Sequence, residues 1–198
     1  VLTLLACRLF SGDEKAAMPA ALAIEVFHNF TLLHDDVMDR ADTRRGKATV
    51  HKKWNDNTAI LSGDAMLIKA YQMLQSVSSN QFPLLLQLFS QTAMEVCEGQ
   101  QYDVDFESDD SVSLDSYIEM IRLKTAVLLA ASLKMGALIG GASQKDADAL
   151  YQYGINLGLA FQLRDDYLDS FGDAAVFGKK IGGDICCNKK TFLMINAL

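Results

Sequence analysis

Residues Leu32–Lys47 read LLHDDVMDRADTRRGK: three carboxylates, Asp35, Asp36 and Asp39, close an apolar helical stretch, and a basic loop carrying Arg44 and Arg45 follows. The acidic part returns 130 residues later in QLRDDYLD, as Asp165, Asp166 and Asp169. In a helix, positions i and i+4 lie one turn apart on one face, so Asp35 and Asp39 point into the same volume, as do Asp165 and Asp169. Taken singly, such a turn reads as a solvated acidic face, with Arg40 on hand to pair with Asp36. Two of them, each ending a long apolar segment and each leading into a basic loop, read as two halves of one site.

The segments around these motifs are helical throughout. Two prolines in 198 residues favour long uninterrupted helices. Val1–Phe10 is a helix with no cap at its start, which leads us to expect sequence upstream. Pro19 suits the first turn of a helix running to about Asp39. A polar loop, Ala41–Ala48, follows. Asn57 caps Thr58–Val77, and Gln81–Glu107 is helical to its end. Its tail YDVDFE alternates as a strand would, but no partner strand is visible in the sequence. Ser113 opens Leu114–Gly141, and Ser143 with Asp146 opens a helix ending near Phe171. Gly154 and Gly158, one turn apart, predict close approach of a neighbouring helix. Gly172–Gly183 is a loop, and Asn188 starts a last helix. The expected class is a single all-α domain spanning residues 1–198 and truncated at both ends.

Composition narrows the function. A net charge of −7 argues against a nucleic-acid surface, and against an anionic substrate unless divalent metal inverts the local field. The four cysteines show no CxxC spacing, which fits a reduced cytoplasmic chain. No run reaches the roughly 18 uncharged apolar residues a membrane span requires. The best candidate, Ala149–Leu163, is interrupted by Gln152, Asn156 and Gln162. The sequence reading is a soluble protein with no stable membrane insertion.

If the two acidic helix ends face each other, their carboxylates repel. A pair about 6 Å apart costs roughly 3 kcal/mol at an effective dielectric near 20. Such a set needs cations, and hard oxygen ligands on two sides of a cleft suit Mg²⁺. Arg44, Arg45, Lys124, Lys179 and Lys189 supply grips for phosphate oxygens. Metal and cations together would stabilise a departing diphosphate, and apolar helix walls would keep water from the carbocation left behind. Lys124, in the apolar run LKTAVLLA, needs a partner unless it snorkels to the surface. His28 alone reads as a satisfied core histidine.

With these residues assembled, the chain resembles the trans-isoprenyl (polyprenyl) diphosphate synthases over essentially its whole length. LLHDDVMDRADTRRGK resembles the family's first aspartate-rich motif, and FQLRDDYLD with FGKKIGGD the second. The resemblance implies an isoprenoid-synthase-like bundle of long antiparallel helices around a central cleft. It implies Asp35, Asp36 and Asp39 as Mg²⁺ ligands on one side and Asp165, Asp166 and Asp169 on the other. Three ions are implied, with Mn²⁺ as the alternative metal. Arg44 would hold the allylic diphosphate, and Arg45 and His28 isopentenyl diphosphate. Lys124, Thr125 and Gln162 would line the ionising allylic end, as catalytic residues. Lys179 and Lys189 would bind diphosphate, with Lys180 or Lys190 as one-residue alternatives. Gln100 and Asp103 in EGQQYD also match family positions.

The family's Gly-Gly-Lys-Arg-x-Arg-Pro segment would precede Val1, and further helices would follow Leu198. Chain length would be set by Phe30, Phe27 and Ile24, with Phe27 pointing down the cleft more directly than Phe30. The implied activity condenses isopentenyl diphosphate with dimethylallyl, geranyl or farnesyl diphosphate to a short-chain C15–C20 product. A cytoplasmic homodimer is implied, with no nucleic-acid partner. A class I terpene cyclase and a non-catalytic subunit of a heteromeric prenyl synthase are the rivals. An intact repeat of DDxxD counts against both.

Overall fold

Polar breaks cap what the apolar runs bury. The structure is a computed structural model, and it describes residues 1–10, 13–77, 80–172, 182–186 and 188–197. Helix α1 is Leu2–Phe10 and α2 is Glu14–Met38. Asp13 opens α2 by accepting a hydrogen bond from the Lys15 N–H. A two-residue hairpin, β1 (Thr43–Arg44) and β2 (Lys47–Ala48), leads into α3 (Val50–Lys53). Asn55 accepts from the Thr58 N–H to open α4 (Asp56–Leu74), and α5 is Phe82–Phe106. Ser113 caps α6 (Leu114–Ile121), which continues through a π-helical turn, Arg122–Ala126, into α7 (Val127–Ile139). Ser143 caps α8 (Gln144–Phe171), and α9 (Gly183–Cys186) and α10 (Phe192–Ala197) complete the order. Each side-chain cap is worth about 1 kcal/mol, because it satisfies a backbone donor that a helix start leaves bare.

The all-α expectation is met, with several boundaries moved. Pro19 lies in the second turn of α2, because Asp13 starts that helix earlier; near the helix start the missing N–H costs one bond only. The cap of α4 is Asn55, not Asn57. The polar loop after α2 folds back on itself: Arg45 (φ 53°) and Gly46 (φ 73°) both take left-handed backbone, as a type I′ hairpin turn requires. Asn188 (φ 55°) does not start the last helix; the Thr191 hydroxyl accepts from the Met194 N–H at 3.3 Å, so α10 opens at Phe192. Leu114–Gly141 is not one α-helix, because the π turn adds a residue to one of its turns.

Helix α2 packs along α4, α1 lies on α7, and α7 packs on α8. Phe27, Leu74, Leu85, Phe89 and Met135 form the fully buried centre. Phe27 and Tyr71 both meet the Phe89 ring edge-on, at 5.4 and 5.0 Å between centroids. A Cβ built on Gly154 would lie 2.4 Å from Ala130 Cα, and one on Gly158 2.4 Å from Ala126 Cα. The predicted close approach is therefore real, and it brings α8 onto α7 and the π turn. Among the described residues α2, not Ala149–Leu163, is long and apolar enough to cross a membrane, with a mean hydropathy of 1.3. Its Ala17, Ala20, Ala23, Ile24, Phe27 and Phe30 are spent on the core.

Candidate active site

Helix α2 ends in a Schellman motif: the Arg40 N–H reaches the Val37 carbonyl, the Ala41 N–H reaches the Asp36 carbonyl, and Arg40 takes the left-handed position (φ 51°). Asp39 is therefore the C-cap, one turn beyond Asp35. Three carboxylates at the negative end of a helix, with no basic residue in its last turn, call for cations from elsewhere.

Three elements supply them. Arg44, on the hairpin, donates from Nε to Asp36 at 2.7 Å and from a terminal nitrogen to Asp35 at 3.1 Å. Lys124, on the π turn, donates to Asp103 at 2.7 Å and to Asp35 at 3.3 Å. Lys189, just before α10, lies 2.7 Å from Asp103, 2.7 Å from Glu107 and 3.4 Å from Asp39. Five carboxylates thus meet three cations. Burial works to lower both lysines, but their carboxylates outweigh it and hold each above the ordinary lysine range. Burial likewise would raise Asp103, but the two ammonium groups hold it below the usual carboxylate range. Asp39 is pushed up, by burial first and then by Asp35.

The second motif is tied to the first by two routes. Thr125, next to Lys124, donates its hydroxyl to Gln162 Oε1 at 3.1 Å, and Gln162 Nε2 donates to Asp166 at 2.8 Å. The Phe192 N–H also reaches Asp166, three residues after Lys189. Two consecutive side chains of the π turn therefore link to opposite motifs, Thr125 through Gln162, and so do Lys189 and Phe192 at the entry to α10. Neighbouring helical residues point roughly 100° apart or a little less, which lets Lys124 and Thr125 face the two acidic ends from one turn. Gly99 on α5 makes room for that turn: a Cβ there would lie 2.3 Å from the Lys124 backbone nitrogen.

The polyprenyl synthetase family model matches residues 1–198. The chain belongs to the polyprenyl synthetase family. A geranylgeranyl diphosphate synthase from Methanosarcina mazei is 44% identical over 196 residues, 98% of this chain and 60% of that one. A crystal structure of a geranylgeranyl pyrophosphate synthase, 59% identical, superimposes with a TM-score of 0.94 over 98% of this chain and 59% of that chain. A crystal structure of a polyprenyl synthase from Caulobacter crescentus, complexed with calcium and isoprenyl diphosphate, has a TM-score of 0.92 at 35% identity. It covers 99% of this chain and 59% of that chain. The chain thus spans about three-fifths of the length of the relatives it matches.

In this polyprenyl synthetase chain the predicted residues sort by geometry. Within each DDxxD the second carboxylate is turned to protein: Asp36 to Arg44, and Asp166 to Gln162 and to the Tyr117 hydroxyl at 2.5 Å. Both are about 4% exposed, so their oxygens are engaged by protein groups, whereas Asp35 and Asp39 meet ammonium or guanidinium groups at the mouth of the site. Asp165 is half-buried and Asp169 buried, with the Gly182 N–H on the Asp169 carbonyl at 2.7 Å. Lys189, not Lys190, reaches the first motif; Lys190 turns to Asp110 at 3.1 Å. Lys179 and Lys180 lie outside the described residues. Arg45 is exposed at the hairpin turn. His28 is half-buried and held below the usual histidine range by burial; Glu25 opposes this, while Arg45 and Arg44 add to it.

Beside Asp35 and Lys124 opens a cavity of about 400 Å³, lined by His28, Phe30, Val96, Gln100, Leu128 and Phe161 among others. Phe30 lies five residues before Asp35, about 7.5 Å down the helix axis. The expected order of the two phenylalanines along the cleft is reversed. Phe30 lines the cavity, while Phe27 sits behind it, 5.5 Å between ring centroids, and Ile24 lies in the core. Phe89 captures Phe27 edge-on and draws it away from the open space.

Asp103 is the hub that sequence reasoning noticed only as a family match, and Glu107 and Tyr117 were missed. The alternating YDVDFE tail put Asp103 and Glu107 one turn apart on a helix face, which was the available signal.

Among the described residues no three His, Cys, Asp or Glu side chains converge to hold a metal, and ammonium groups occupy that ground. The donor chemistry nevertheless fits a hard divalent cation. Every exchangeable ligand is a carboxylate oxygen, and the carboxylates outnumber the cations.

Proposed function

We propose that the protein is a short-chain trans-prenyltransferase, one helical domain that condenses isopentenyl diphosphate with an allylic diphosphate. The observation that carries the reading is the apolar cavity whose polar end is Asp35 with Lys124 and whose far side is Phe30. A hydrocarbon tail fits such a space, and its diphosphate would lie among Arg44, Lys124 and Lys189. The names of the M. mazei relative and of the 59% identical structure support the same activity.

Asp35, Asp39, Asp165 and Asp169 would hold Mg²⁺, up to three ions, with Mn²⁺ as a substitute. When bound, the metal supplies positive charge to the diphosphate oxygens. Calcium together with isoprenyl diphosphate in the Caulobacter relative supports this pairing.

The chain's own residues then act as follows. Arg44, Lys124 and Lys189 neutralise the leaving group as the allylic C–O bond breaks and its electron pair stays on oxygen. Gln162 accepts the Thr125 hydroxyl proton, which leaves the Thr125 oxygen lone pairs to face the cation left on carbon. His28 and Arg45 orient isopentenyl diphosphate, whose double bond forms the new C–C bond; a proton then leaves to the departed diphosphate. Leu128, Val96 and Phe161 keep water from the carbocation. Phe30, backed by Phe27, limits the product to fifteen or twenty carbons. The working unit in this reading is a cytoplasmic homodimer.

The test is mass spectrometry of products from isopentenyl diphosphate with farnesyl or geranyl diphosphate and Mg²⁺. A C15–C20 prenyl diphosphate is expected. A hydrocarbon released from farnesyl diphosphate alone, or no condensation, contradicts the reading.

A further inference from the structure

His34 lines the cavity from α2 beside Phe30, Thr31 and Asp35. Its ring stands edge-on to Phe30, with centroids 4.7 Å apart. Its Nε2 lies 3.1 Å from the Ile60 carbonyl oxygen on α4 and 3.6 Å from the Asp64 carboxylate. A carbonyl can only accept, so Nε2 carries a proton and pins the ring against α4. The ring rests over Gly63: a Cβ there would lie 2.3 Å from His34 Nε2 and 2.5 Å from Cδ2. The imidazole therefore fills the space that any side chain at 63 would need. Neither residue is among those proposed above to hold metal or diphosphate.

We infer that His34 is a specificity-determining side wall of the hydrocarbon cavity, and that the bare backbone of Gly63 lets this wall stand back. The inference rests on the prenyl-chain reading and adds a width control, separate from the Phe30 floor. With α4 behind the ring and Phe30 beside it, a side chain at 63 pushes the imidazole off the Ile60 carbonyl toward the cavity. The space lost lies where the His34 ring meets Phe30, the stretch that a longer prenyl tail must pass and a geranyl tail need not fill.

The test is calorimetric binding of geranyl, farnesyl and geranylgeranyl diphosphate, with Mg²⁺, to wild type, Gly63→Ala, His34→Ala and the double variant. Thermal melting checks each fold. Gly63→Ala should weaken the geranylgeranyl ligand relative to the geranyl ligand by about tenfold, the scale of one methylene-sized misfit in an apolar pocket. The double variant should regain the wild-type ratio, because the added methyl then has no ring to displace. A general lesion at 63 would not be repaired by deleting a second side chain. An unchanged ratio in Gly63→Ala, or a double variant no better than Gly63→Ala, overturns the inference. Should Gly63→Ala fail to fold, His34→Trp narrows the same wall and should lower the same ratio; an unchanged ratio there overturns it equally. A wild type that binds none of the three diphosphates overturns the prenyl reading itself, and the wall with it.

Discussion

Lys124 and Lys189 donate to the same oxygen of Asp103, each at 2.7 Å. One carboxylate on α5 thereby draws the π turn and the segment before α10 onto the first acidic motif. Lys124 then reaches Asp35 and Lys189 reaches Asp39.

Asp103→Asn should destabilise the fold by about 3 kcal/mol. Removing one partner of a mostly buried ion pair leaves the other charge uncompensated, and the two lysines here keep some contact with solvent. Urea unfolding measures the loss. The acid limb is a second check. A carboxyl held low in the folded chain contributes stability above its unfolded value, near pKa ~3.9, and that contribution fades as pH falls through the folded value. Wild type should therefore lose stability as pH drops below about 4, and Asp103→Asn should lose less over the same window.

Gly158→Ala places a methyl 2.4 Å from Ala126 Cα, a backbone-borne atom that cannot swing away. Overpacking of this kind costs roughly 1–3 kcal/mol. Since Ala126 belongs to the π turn, turnover should fall as well as melting temperature. A variant with wild-type stability and turnover would show that α8 does not set the position of that turn.

Phe30→Ala should lengthen the product by at least one isoprene unit, because Phe30 lines the cavity. Phe27→Ala should do little to the product alone and cost about 3–5 kcal/mol as a core cavity. The pair together should lengthen the product further. Mass spectrometry of chain lengths decides the order; a Phe27→Ala product longer than that of Phe30→Ala would reverse it.

Helical class, both acidic motifs and the Gly154–Gly158 contact were legible in the sequence because each rests on spacing within one helix. The site's cross-links were not. Asp103 meets Lys189 across 86 residues and Tyr117 meets Asp166 across 49, separations at which periodicity carries no information. The π turn was hidden because RLKTA has ordinary helix formers, and only packing against Gly99 shows why the turn widens there. The Phe27–Phe30 order was misread for a related reason. A straight-helix projection gives direction from Asp35, but Phe89 on another helix decides which ring is held in the core.

Calorimetric titration of inorganic diphosphate tests most directly whether the two acidic helix ends share divalent metal on one diphosphate. Wild type should bind diphosphate with Mg²⁺ present and lose that binding in chelator. Asp35→Asn and Asp165→Asn should each weaken it by about thirtyfold or more, the scale of losing one desolvated charge contact. Binding that persists without metal, or that neither substitution changes, would contradict a shared metal site.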